Sequence, residues 1–173
     1  MWYGGLKKTA KQTNNAIPAD VHELDELYWF IGRKASSETR ENIYIITMVS
    51  RQPRQIVGVD AAMDKSPERI QRMVEAATAA DVYCTDGWSG YIDVIYPGKH
   101  IRNTRDKSDT FTVEGINADL RHYIPGLARR RRCFYRRLDT LLAVLQVFIH
   151  AYNNFGHAKL RFPQNRFAFV DFL

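Results

Sequence analysis

Apolar positions along this chain fall into short runs whose spacing switches between two periods. Residues 24–31, LDELYWFI, have the aromatic and aliphatic character of a buried strand. A charged turn over 32–42 leads into a β-branched run at 43–50, IYIITMVS, and RQPR at 51–54 turns the chain into a third at 55–61, QIVGVDA. Three strands with short polar connections predict an antiparallel meander. From Ser66 the period lengthens. Ser66 is placed to cap a helix with Pro67 at its first position, and Ile70, Met73, Val74 and Ala77 make one apolar stripe. A strand at 81–86, a brief helix near 88–95 and a strand near 99–102 follow. Beyond the polar stretch 103–110, helices are expected at about 112–124, stopped by Pro125 and Gly126, and at about 134–154. In the last, Leu138, Leu141, Leu145 and Phe148 recur as they would in a core helix lying on a sheet.

Three strands, helix, strand, helix, strand and then helices is the ribonuclease-H-like order. The expected fold class is therefore α/β, a five-stranded mixed sheet flanked by helices. Residues 1–20 read as a polar N-terminal arm, 21–158 as the domain and 159–173 as a C-terminal extension rich in aromatics. The 173 residues suit one domain, and 45% hydrophobic with 25% charged residues is a globular composition. A net charge of +6 suits a polyanionic partner such as nucleic acid. Cys84 and Cys133 form no CxxC pair, which excludes a zinc ribbon and a dithiol redox motif. The longest apolar stretch, 141–149, is interrupted by Gln146 and falls well short of the roughly 20 residues that span a membrane. No signal-peptide pattern opens the chain. A soluble cytoplasmic protein is expected.

Three carboxylates merit separate treatment. Asp25 sits within the first strand amid apolar neighbours, where an unpaired carboxylate is unfavourable unless coordinated. It also reads as a solvated strand-edge residue, with Glu23 and Glu26 in the same role. Asp86 precedes Gly87 at the exit of the fourth strand, a placement equally natural for an ordinary turn aspartate. On the helix expected at about 112–124 and its continuation, Val113, Ile116, Leu120, Tyr123, Ile124 and Leu127 form the apolar side. Glu114, Asn117 and Arg121 are read as lying opposite. An acidic residue at a helix start is favoured by the dipole whatever else it does. Phosphodiester chemistry with hard metal ions needs such carboxylates aimed at one point.

Together the blocks DELYWFIG at 25–32, YCTDGWSGY at 83–91 and TFTVEGINADLRHYIPGLARRRRCF at 110–134, with AYNN at 151–154, resemble the transposases of the insertion-sequence-one family. The resemblance implies a ribonuclease-H-like fold whose Asp-Asp-Glu site cuts and joins DNA strands. Carried over position by position, Asp25, Asp86 and Glu114 would hold two Mg2+ ions, with Mn2+ as a substitute. Asn117 and Arg121 would stand beside them, and Lys107 would contact DNA. The implied partners are transposon-end and target DNA and further copies of the chain, a dimer or larger. About twenty residues without a cysteine cluster precede the first strand. A separate end-recognition domain or chain is therefore expected as well.

Residues 129–137, RRRRCFYRR, interleave arginines with Phe134 and Tyr135. Guanidinium forks grip phosphates and aromatic rings stack on bases, so Arg129, Arg130, Arg131, Arg132 and Arg136 are candidate DNA contacts. A solvated basic connector is the plainer alternative. Two other functions fit the same sequence: a ribonuclease-H-like DNA nuclease that stops at hydrolysis, and a catalytically inactive DNA-binding remnant or regulator of transposition.

Overall fold

A computed structural model of the protein describes residues 20–32, 40–106, 108–128 and 134–161. Three strands, β1 (Val21–Gly32), β2 (Arg40–Ser50) and β3 (Gln55–Ala62), form the expected antiparallel meander. After α1 (Pro67–Ala76) come β4 (Val82–Thr85) and β5 (Lys99–Arg102), then α2 (Phe111–Tyr123) and α3 (Leu138–Arg161). The five strands make one mixed sheet in the order β3-β2-β1-β4-β5, with β4 parallel to β1 and β5 parallel to β4. The expected short helix near 88–95 is a five-residue 3-10 turn, Ser89–Asp93. The last helix starts four residues later than its sequence pattern suggests and runs on to Arg161.

Alternation along β1 divides the core. Leu27, Trp29 and Ile31 pack with α2 and α3, while Leu24 joins Ile46, Met48 and the α1 residues Ile70 and Val74 on the opposite face. The Trp29 indole donates to the Gly126 carbonyl at 2.8 Å, which fixes the turn after α2 to the far end of β1. At the edge of the sheet Asn153 of α3 acts as a substitute strand. Its Oδ1 accepts from the Ile56 amide at 2.9 Å and its Nδ2 donates to the Ile56 carbonyl at 2.9 Å. Among the described residues, no helix is long and apolar enough to cross a membrane.

The tie that orients α2 is a buried carboxylate. Glu23 is 0% exposed, and its Oε2 accepts from the first-turn amides of Thr112 at 2.7 Å and Val113 at 2.9 Å. Its Oε1 receives Arg51 Nε at 2.6 Å. Arg51 also donates to the Asp109 carbonyl at 3.1 Å and lies over the Phe111 ring, so one guanidinium spans β2's exit and α2's entry. Two helix amides that otherwise lack partners are satisfied by an anion at the positive end of the helix. Reading Glu23 as a solvated strand-edge residue is thus corrected: it is the most enclosed carboxylate of β1. Replacing Glu23 with Ala strands Arg51 and both amides, and should lower stability by about 3 kcal/mol. A shift of the urea midpoint corresponding to under about 0.5 kcal/mol would contradict that account.

Candidate metal centre

Parallel pairing brings the two aspartates together. Leu24 of β1 lies beside Thr85 of β4, so one residue further on, where β4 ends and β1 continues, Asp25 and Asp86 stand side by side. Gly87 follows at once, and the chain leaves the sheet. Asp86 Oδ1 accepts from the Trp88 amide at 2.9 Å, a local turn that holds the carboxylate at the strand's end. Asp25 Oδ2 accepts from Asn117 Nδ2 at 3.0 Å.

The third acidic group in the cluster is Glu26. One oxygen from each of Asp25, Glu26 and Asp86 lies within 4.8 Å of the others. Octahedral Mg2+ holds oxygens at about 2.0–2.1 Å, so opposed ligands stand about 4.2 Å apart and adjacent ones about 2.9 Å. The three oxygens would draw together to share an ion, and an all-carboxylate set has the hardness Mg2+ and Mn2+ prefer. Glu26 approaches from the α1 side of the sheet, its side chain only 7% exposed, with Lys65 Nζ 3.8 Å from Oε1. Lys65 lies over the Trp88 ring, 4.2 Å from its centroid, and near Tyr44. Burial pushes the Glu26 carboxyl up from 4.5 to about 7; Lys65 opposes this, Asp86 adds to it, the Tyr91 hydroxyl opposes it and Asp25 adds to it. The fully buried Tyr91 phenol is driven well above its usual range by burial first and by the same carboxylates second.

Glu114 lies on the first turn of α2, half-buried, and is not one of the three clustered carboxylates. Its helix face does meet β1. Asn117, one turn on, is 4% exposed and makes the contact to Asp25. This corrects the placement of Glu114, Asn117 and Arg121 opposite the apolar stripe. At about 100° per residue, Asn117 falls only about 40° from Val113, and Glu114 about 100° from it. The group flanks the stripe, and α2 turns that flank toward Asp25. Arg121 is half-buried on the same flank, and Arg136 is exposed just ahead of α3. Lys107 and Arg129, Arg130, Arg131 and Arg132 lie outside the described residues.

The reading of Glu26 as a solvated strand-edge residue is corrected by its burial, and sequence reasoning passed over Lys65 and Arg51. The consecutive acids of the LDEL segment carried a signal for Glu26, because neighbouring strand residues point to opposite faces and so approach a sheet end from both sides. Nothing local marked Lys65, which meets Glu26 only through the fold. A scan of protein-family models finds no match for this chain, and a search of curated proteins finds none either.

The raised Glu26 pKa has a definite sign. The folded carboxyl keeps its proton to about 7 whereas the free side chain loses it near 4.5, so the stability it contributes is present in acid and disappears as the pH rises through 7. Glu26→Gln, which cannot ionise, should exceed the parent in stability at pH 8 by about 2 kcal/mol and match it near pH 4. Urea melts at the two pH values test this. Equal midpoints at pH 8 would mean that Glu26 ionises there without penalty.

Proposed function

We propose that this chain is the catalytic core of a DNA transposase with a ribonuclease-H-like fold. It cuts one strand at each transposon end and joins the freed 3′-hydroxyl to target DNA. The observation that carries this reading is the juxtaposition of Asp25, within β1, and Asp86, just past the end of the parallel strand β4, with the flank of α2 that bears Glu114 drawn against Asp25 through Asn117. The sheet order, three antiparallel strands followed by two parallel ones, supports the fold assignment. The +6 charge supports a polyanionic substrate.

In this reading Asp25, Asp86 and Glu114 hold two Mg2+ ions, which Mn2+ can replace. When bound, such ions activate the attacking oxygen and stabilise the leaving one. The chain's own residues set the geometry. Asn117 donates to one oxygen of Asp25 and the Trp88 amide to one oxygen of Asp86, which orients both carboxylates. Arg121, on the flank shared by Glu114 and Asn117, supplies a guanidinium for a backbone phosphate, and Arg136 with the arginines at 129–132 neutralises DNA further out. The protein acts in the bacterial cytoplasm on nucleoid DNA. Two ends must be synapsed, so at least two copies work together, with end recognition supplied by a separate domain or chain.

Cleavage of transposon-end DNA and joining of a precut end, each assayed with Mg2+ and with Mn2+, test the proposal. Asp25→Asn, Asp86→Asn and Glu114→Gln should each reduce both reactions by about a thousandfold or more while the proteins stay folded and bind DNA. Unchanged turnover in Glu114→Gln would remove the proposed chemistry. Cleavage with no joining of the precut end would instead mark a nuclease. Binding with no metal-dependent reaction would mark a regulator.

A further inference from the structure

Lys65 lies on the connection between β3 and α1, far in sequence from the carboxylates, yet its side chain is only 28% exposed and its ammonium sits 3.8 Å from Glu26 Oε1. That oxygen is buried and makes no hydrogen bond. The ammonium is held from the side by Trp88 at 4.2 Å and by Tyr44 at 5.6 Å. Trp88 is the residue whose amide binds Asp86, and its ring packs edge-on against Tyr91, 5.3 Å between centroids. The Tyr91 hydroxyl is wholly enclosed, faces the carboxylates of Glu26, Asp86 and Asp25, and has no hydrogen bond of good geometry. On the α1 side of the cluster a carboxylate oxygen and a phenol oxygen are thus both enclosed, and a cation is a group that would satisfy the carboxylates. The nearest described cation is an ammonium standing beyond hydrogen-bond reach.

We infer that Glu26 is a metal-binding carboxylate outside the Asp-Asp-Glu set, and that Lys65 is the resident cation that a divalent ion must displace from it. The inference rests on the metal-binding reading above. An ammonium on a flexible stem can neutralise Glu26 without coordinating it and can swing aside along the Trp88 face, as the lateral cation–aromatic contact permits. Lys65 therefore competes with the ion for Glu26, and its removal should strengthen binding instead of weakening it. A residue with a purely structural role would not produce that sign.

Mn2+ alone is the probe, titrated calorimetrically into the full chain at pH 7.5 without DNA. Lys65→Met, which keeps the length of the side chain over Trp88, should tighten Mn2+ binding about tenfold, and Glu26→Gln should weaken it by about the same factor. In the double variant the gain from Lys65→Met should vanish, because the site of competition is gone. Circular dichroism melts confirm that each variant is folded. Unchanged or weaker binding by Lys65→Met overturns the competition. Equal gains with and without Glu26 overturn it too, since they would reflect only the loss of a distant positive charge. Normal binding by Glu26→Gln, together with its loss in Asp25→Asn, removes Glu26 from the site while leaving the proposed function standing. Normal binding in Asp25→Asn and Asp86→Asn alike would overturn both.

Discussion

The Glu23 carboxylate is the constraint on which the site depends. It is anchored in the central strand and takes the first amides of α2 on one oxygen and the Arg51 guanidinium on the other. A buried charge of this kind is tolerable only when its oxygens are filled, and here three donors fill them. The outcome is geometric. With its start fixed at Glu23 and its following turn fixed at Trp29, α2 runs along β1 in one register, which places Asn117 beside Asp25. A helix held by apolar contacts alone could rotate or slide by part of a turn, and its flank would lose the strand.

Because α2 is fixed, crowding of carboxylates at the sheet's end becomes a stable condition. Asp25 and Asp86 are neighbours through strand register, and Glu26 enters from the opposite face of the same strand. Mutual repulsion would open such a cluster if it stood on loops. Instead each member is borne by a central strand or by the turn directly after one, and Glu26 holds its proton to higher pH, through burial first and repulsion from Asp86 and Asp25 after it, with Lys65 opposing.

Much of the architecture was legible in the chain itself. The meander could be read from its β-branched runs and its proline turn, α1 from Ser66, Pro67 and a stripe of three buried residues, and β5 to the residue. Ends were harder to read because pairing decides them: β1 is lengthened at both ends by partners that only the sheet supplies. Asp25 and Asp86 stood out because an acid among apolar strand residues or at a strand's exit is conspicuous. Glu23 and Lys65 did not. The role of each is set by a partner far away in sequence, an amide pair at 112–113 for one and a carboxylate at 26 for the other. The orientation of α2 was misread for a related reason. A helical wheel gives angles within a helix, but which flank meets the sheet is decided at the helix's anchoring points.

The carboxamide of Asn153 has a consequence for how copies of this protein can meet. A strand at the margin of a sheet normally offers its outward amides and carbonyls to any extended peptide that passes, which is a route to fibrils and to swapped assemblies. Here the margin carries a side chain that mimics the missing neighbour at Ile56, with the bulk of α3 behind it. Continuation of the sheet from one molecule into the next is blocked at that point of β3, which leaves β5 as the margin where another strand could add.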